Sequence, residues 1–354
     1  MIIPYRNEGD NLTKLLNALL NQNFLDNKLD IILVDDHSDD GGPELVREFC
    51  ASAGAGKVGE QSEVSANFYL NTNRAVKLLS LRDHLAGKLV VAHKKAALNY
   101  GIANTDSDVI LTTDADCLPP PGWLARVVNQ FQPGTDIVCG PVWIAPERTF
   151  CDQFQALDLT AYQFLTATSI AKGTPTLANG ACFAFRKSAF EAVGGYAGVD
   201  HLPSGDDVLL LHKFTNHFPA GSFKWLGNGP VVTTRPVAGW RALWRQRLRW
   251  AGKAGHYQAQ ELKFAQALTF LTCLSLLALI PISLHLRSVA PLLILWSCKA
   301  VVDWLNLRAI HQHYGKKLDT SAYLKSALLY PFFLVAVGSA ALLGLRADWK
   351  GRTY

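Results

Sequence analysis

Two carboxylates one residue apart, Asp114 and Asp116, close the stretch Val109-Ile110-Leu111-Thr112-Thr113-Asp114-Ala115-Asp116. Side chains alternate along a strand, so positions i and i+2 point the same way. If the strand runs on through the acids, both carboxylates face one spot beyond its carboxyl end. Two hard oxygen donors so placed suit Mg²⁺ or Mn²⁺, and a metal held this way usually also grips substrate phosphates. The triplet alone is weak, because Asp-x-Asp arises readily by chance. A second copy, Asp106-Ser107-Asp108, stands just upstream in what reads as a polar turn. What gives Asp114 and Asp116 weight is the set of elements that would position them.

The run Val109–Leu111 is apolar at consecutive positions, the pattern of a strand buried on both faces in a parallel sheet. Ile31-Ile32-Leu33-Val34-Asp35-Asp36 repeats it and again ends in acids. Met1-Ile2-Ile3-Pro4 reads as the tail of a strand whose first half is missing, as though the start were internal or the chain trimmed. The spacing of Leu12, Leu15, Leu16, Leu19 and Leu20 predicts a helix over 10–23 after the N-cap types Asp10 and Asn11. A second helix is expected from Pro43, a strand over 66–70, and a helix from Lys94 to Ala103, with loops over 51–65 and before Lys94. This alternation predicts an α/β, doubly wound, mostly parallel sheet with its ligand beyond the carboxyl ends of the strands. Glu8, Asp35, Asp36, Asp114 and Asp116 would then share one edge. Like charges repel, and such clustering is tolerated where a cation or hydrogen-bonding ligand is expected. Lys94 is placed to reach phosphate oxygens, although any single lysine is more often a solvated surface charge. Neither a G-x-x-x-x-G-K-[ST] loop nor a G-x-G-x-x-G after a strand is present, which excludes P-loop chemistry.

Further on, 177–186 reads as a strand, followed by a short helix over 187–193 that stops at Gly194-Gly195. Asp206 and Asp207 open another helix after Ser204-Gly205. Acids there favour the helix dipole, and capping alone would explain them.

The chain has 354 residues, 49% of them hydrophobic. The excess is local. Residues 264–286 and 326–345 carry no charged side chain, and each is long enough to span a bilayer as a helix. Between them 288–307 is mostly apolar but holds Lys299 and Asp303, spaced to pair on one helix face. The net charge is +5, yet seven Lys/Arg against the single acid Glu261 fall between Arg235 and Lys263, so this stretch outweighs the whole. Interleaved with Trp240, Trp244 and Trp250 and followed by a membrane segment, it reads as an amphipathic helix on an anionic leaflet, not as a nucleic-acid site. Seven scattered cysteines without C-x-x-C spacing indicate free thiols and a reducing compartment. The domain reading is a catalytic domain over 1–235, an interfacial helix over 236–263 and a membrane region of about three helices over 264–354.

The ordered motifs carry a resemblance. Pro4-Tyr5-Arg6-Asn7-Glu8, Val34-Asp35-Asp36-His37-Ser38, Lys94 to Asn99, Asp114-Ala115-Asp116 and Gln246-Arg247-Leu248-Arg249-Trp250 resemble the family 2 glycosyltransferases, including membrane-bound synthases of cellulose and hyaluronan and ceramide glucosyltransferase-like members. The resemblance implies a GT-A fold and a nucleotide-diphospho-sugar donor, UDP- or GDP-linked. It implies that Pro4, Tyr5, Glu8, Asp35, Asp36 and Lys94 line the nucleotide-sugar site, and that Asp114 and Asp116 hold Mg²⁺ or Mn²⁺ on the diphosphate. Asp207 matches the general base, with Asp206 in place of the more usual Glu before it. Gln246, Arg249 and Trp250 match Q-x-x-R-W, which would serve acceptor and diphosphate: Trp offers a flat face to a sugar and Arg a fork to a diphosphate.

An inverting, metal-dependent glycosyltransferase at the inner membrane is the expectation, with its catalytic domain cytoplasmic. Its acceptor is expected to be lipid-linked, since about three spans are few for a polymer channel. A processive polysaccharide synthase and a non-catalytic scaffold of the same fold are the alternatives. Three spans would put the basic tail (Arg346, Lys350, Arg352) outside, against the positive-inside bias, which favours a re-entrant or interfacial 288–307.

Overall fold

The computed structural model describes residues 1–24, 28–54, 56–57, 65–71, 73–346, 348–349 and 352–353. Lys350 of the basic tail lies outside them. Two compact units divide the chain, one of Met1–Val142 with Ser169–Arg235, the other of Trp143–Thr168 with Pro236–Tyr354.

The first unit is built on a nine-stranded sheet in the order 223–225, 137–139, 183–186, 109–112, 2–5, 29–35, 74–80, 65–71, 56–57. Its four central strands run parallel: Ile2–Tyr5 pairs with Leu29–Asp35 on one side and meets Val109–Thr112 on the other, and Leu29–Asp35 pairs with Arg74–Ser80. Phe183–Arg186 joins antiparallel to Val109–Thr112.

Period-two alternation decides which side chain meets which layer. Ile3, Ile31 and Leu33 pack with Leu12, Leu15 and Val46 from the helices Gly9–Leu20 and Gly42–Ser52. Ile2, Ile32 and Val34 face the opposite layer with Ala97, Leu98 and Ile102 of the helix His93–Ala103. Each such buried aliphatic contributes about 1.5–3 kcal/mol relative to exposure, which holds the sheet between two helical layers. The expected doubly wound, mostly parallel centre is therefore present.

Several local expectations shift. The first helix starts at Gly9, with Glu8 as its N-cap instead of Asp10 or Asn11. Arg74–Ser80, expected as loop, is a strand of the sheet. Of 177–186 only Phe183–Arg186 is extended, because Gly180–Cys182 forms a turn of 3₁₀ helix capped by the Asn179 side chain.

The second unit is mainly helical. It takes in Phe150 to Thr168 of the helix Phe150–Ala171, then the helix Gly239–Ala251, and then three helices long and apolar enough to cross a membrane: Gln260–His285, Ala290–His313 and Thr320–Leu342. Their surfaces are largely bare, with Phe264, Leu268, Leu293, Ile294, Leu328 and Phe332 exposed. So many apolar side chains on three consecutive helices fit lipid. The expected Lys299–Asp303 pair forms within one helix, and Lys299 also lies 4.9 Å from the ring centroid of Tyr330 on the next. The charge there is spent on a neighbouring helix.

Candidate active site

The strand bearing the paired acids ends at Thr112. Thr113 is fully buried and donates its hydroxyl to the Ala181 carbonyl at 3.0 Å. The chain then turns, with the Cys117 N–H donating to the Asp114 carbonyl at 3.1 Å. Asp114 and Asp116 are thus brought together by a turn beyond the strand, not by alternation along it. Ligand atoms of Asp114, Asp116 and Cys117 lie within 4.8 Å of one another. Burial, then the Asp114 and Glu8 carboxylates, push the Asp116 carboxyl up to about 6. Burial and the same paired acids raise the Cys117 thiol well above its usual range, which keeps it a neutral sulfur and a poor donor to a hard cation. Two crowded carboxylates whose charge resists accumulation fit a hard divalent ion.

Lys94, in the first turn of its helix, donates to Asp114 Oδ1 at 2.8 Å and lies 3.0 Å from Asp206 Oδ2. Burial disfavours its charge, but Asp114, Asp206 and Asp207 outweigh that and raise its pKa well above the ordinary lysine value. Gly180 lies against this group: a Cβ there would stand 3.3 Å from both Lys94 Nζ and Asp206 Oδ2. The Gly180 N–H donates to Asp207 Oδ2 at 2.9 Å, while Asp207 Oδ1 accepts from the Val208 N–H at 2.7 Å. Asp206 and Asp207 open the helix Asp206–His217, yet capping is not their whole role, since one meets Lys94 and the other a distant backbone amide.

Beside this cluster, the other sequence-derived residues line the ends of the strands Ile2–Tyr5 and Leu29–Asp35. Pro4 pairs with Val34 and Tyr5 with Asp35. Tyr5 is buried, its hydroxyl has no hydrogen-bond partner among the described residues, and burial plus the Asp35 and Asp40 charges raise its pKa. Burial likewise raises Asp35, whose Oδ1 accepts the Ser38 N–H at 3.2 Å. Asp36 Oδ1 lies 3.0 Å from His37 Nδ1 and 2.9 Å from His93 Nδ1. Glu8 Oε2 accepts from Asn11 Nδ2 at 2.7 Å. Asp40 ties the two loops together by accepting the Gly9 and Gly42 amides at 2.7 and 3.0 Å.

Gln246, Arg249 and Trp250 lie on the helix Gly239–Ala251 of the second unit. The residue that organises them is Arg247, which stands at a variable position of the Q-x-x-R-W pattern. Its Nε donates to Asp158 Oδ2 at 2.5 Å, with both side chains only 6% exposed. Its guanidinium lies 4.2 Å from the Trp250 ring centroid and also donates to Gln246 Oε1. No motif marks Arg247; its only signal in the sequence is that it falls one turn after Leu243, on the helix's buried face. His93 is likewise absent from the residues singled out by sequence, and Lys95 falls within the quoted run Lys94 to Asn99 without a role of its own. Lys95 shares the inward face with Leu98 and Ile102, at helical spacing where an apolar residue is the default.

The comparisons with known proteins come to the same class. A model of glycosyl transferase family 21 matches residues 84–354, and one of glycosyl transferase family 2 matches residues 1–63. The chain is 26% identical over 220 residues to the glycosyltransferase AglE of Haloferax volcanii, covering 61% of this chain and 60% of that protein. It is 29% identical over 144 residues to the undecaprenyl-phosphate 4-deoxy-4-formamido-L-arabinose transferase of Aeromonas hydrophila subsp. hydrophila, covering 39% of this chain and 35% of that protein. The chain thus spans 60% of the first relative's length and about a third of the second's. Among solved structures it is similar in fold to the mannosyltransferase PcManGT from Pyrobaculum calidifontis, determined in complex with GDP-Man and Mn²⁺. The TM-score is 0.52 at 17% identity, over 97% of this chain and 86% of that one.

Proposed function

The chain belongs to glycosyl transferase family 21, and from that premise we propose that it moves a sugar from a nucleotide-diphospho-sugar to a lipid acceptor in the membrane. The observation that carries this reading is the meeting of Lys94, Asp114 and Asp206 from three separate segments, with Asp116 and Asp207 beside them. One end of that group is built to neutralise phosphate, the other to take a proton.

Asp114 and Asp116 would hold Mg²⁺ or Mn²⁺, which when bound supplies positive charge to the diphosphate. Lys94 adds a second positive group at the leaving oxygens, exchanging part of its contact with the acids for phosphate. Tyr5, Asp35 and Asp36 accept and orient base and ribose. Asp207, the less buried of the acidic pair, takes the acceptor hydroxyl's proton as that oxygen attacks the anomeric carbon in line, which inverts the configuration. Asp206 stays paired with Lys94. In this reading Gln246, Arg249 and Trp250 keep the acceptor role that their motif implies.

The acidic pair argues for an acceptor whose nucleophile is a hydroxyl. An acceptor phosphate needs no base and would be repelled by Asp206 and Asp207. The name of the Aeromonas relative supports a lipid phosphate instead. The Q-x-x-R-W run favours a polymer. Asp207→Asn tests the assignment: transfer to a hydroxyl lipid is expected to fall to background while nucleotide binding persists. Full activity in that variant removes Asp207 as base. Retained transfer to a polyprenyl phosphate alone would make the lipid phosphate the acceptor. The mass of the product separates one added sugar from a chain.

A further inference from the structure

Lys95 is the next residue after Lys94, and its side chain is only 1% exposed. Its Nζ donates to the carbonyls of Val199 at 2.7 Å, Leu202 at 2.8 Å and Ser204 at 3.0 Å. An ammonium has three N–H donors, and all three are used on one short segment. A buried charge is tolerated only when it is satisfied in this way. The segment it holds runs between Gly198 and Gly205, which lie at φ +83° and +78°, in the left-handed region where the chain turns sharply and glycine is favoured. Val199 packs partly against the core, but Leu202, Pro203 and Ser204 are only half-buried, and Asp200 and His201 are exposed. Little apolar burial fixes such a stretch. Immediately after Gly205 come Asp206 and Asp207.

We propose that Lys95 is a positioning residue for the acidic pair: it pins the 199–204 segment to the helix that carries Lys94, and so sets where Asp207 stands relative to the donor. The inference rests on the function proposed above. Its geometry is a two-point grip from consecutive residues. Lys94 takes the Asp206 side chain, and Lys95 takes the backbone that leads to it. The helix His93–Ala103 is anchored by Ala97, Leu98 and Ile102, so the grip is referred to the sheet that also carries Asp114. A base displaced by about 1 Å can lose roughly a hundredfold in rate without losing its chemistry.

Lys95→Met tests this in the full chain in lipid nanodiscs. Methionine keeps the straight apolar stem and removes only the ammonium. The expected result has three parts. Transfer kcat falls about 10- to 100-fold. Mn²⁺-dependent binding of GDP and UDP stays within about twofold of wild type, because no nucleotide contact changes. Amide hydrogen exchange quickens over 199–207 but not over 109–112. Exchange needs no turnover, so a wild-type protein that transfers nothing would count against the functional reading, while the exchange result still decides the role of Lys95. Unchanged kcat, or unchanged exchange over 199–207, would overturn the proposal. Equal loss of kcat and nucleotide binding, with exchange quickened across the sheet, would make Lys95 merely structural. If Lys95→Met does not fold, Pro203→Gly loosens the same segment from its surface. It should lower kcat with nucleotide binding intact, and wild-type kcat in that variant would overturn the proposal equally.

Discussion

Charge is handled differently in the two units. In the sheet unit Asp114, Asp206 and Asp207 act on one ammonium, that of Lys94, and Asp116 has Asp114 and Glu8 for neighbours. In the helical unit Arg247 has Asp158 and Lys299 has Asp303, one for one. In such a pair each charge has one opposite charge beside it. Burial and crowding by the Asp114 and Glu8 carboxylates raise the Asp116 pKa, a cost that a bound cation would lower. The contrast separates charges that bind a ligand from charges that hold helices together, and it can be broken at either end.

The largest effect is expected at the crowded acids. Asp116→Asn should cut transfer by at least about a hundredfold, since a ligand for the cation and its charge are lost together. The metal-free variant should nevertheless melt no lower than wild type, because the change relieves repulsion from Asp114 and Glu8. A drop in both activity and melting temperature would mean that the acids are structural. Arg247→Met should act on stability first. Leaving Asp158 buried without its partner costs about 3–5 kcal/mol, and the double variant Arg247→Met with Asp158→Leu should recover most of it. Thermal melts of the three proteins in one detergent check this.

A smaller effect follows from pH. The Asp116 carboxyl is raised in the folded protein to about 6 from an ordinary value of 3.8, so the folded state holds the proton more tightly than the unfolded one. Its contribution to stability is complete below the unfolded value and is lost as pH rises through about 6. Bound metal reverses that loss. The melting-temperature gain on adding Mn²⁺ over EDTA should therefore grow from pH 5 to pH 7, and a gain that shrinks would contradict the assignment. The smallest effect is at Lys299→Met. Asp303 is 39% exposed at its side chain, and the change should cost under about 2 kcal/mol and leave transfer unchanged.

How much of this was legible in the sequence depends on how each residue earns its place. Asp35, Asp36, Asp114 and Asp116 stood out because an apolar run that ends in acids delivers those acids to the edge of a buried sheet. The contact of Lys94 with both Asp114 and Asp206 was not legible in that detail, because Asp206 lies more than ninety residues beyond the other two. Arg74–Ser80 hid as a strand because Arg74 and Lys77 interrupt its apolar pattern; both turn out to donate to distant backbone carbonyls. The roles of Lys95 and Arg247, inside quoted motifs, were illegible for one shared reason. Each is a charged residue on the buried face of a helix, where propensity and pattern both predict an apolar side chain, and only the tertiary partners account for the exception.

The most direct test of the central claim uses the full chain in nanodiscs with a panel of UDP- and GDP-sugars and lipid acceptors, first with Mn²⁺ or Mg²⁺ and then with EDTA. Release of nucleotide from one donor, dependent on the metal and abolished by EDTA and by Asp116→Asn, is the predicted result. Transfer that proceeds undiminished in EDTA, or in the Asp116→Asn protein, would contradict it.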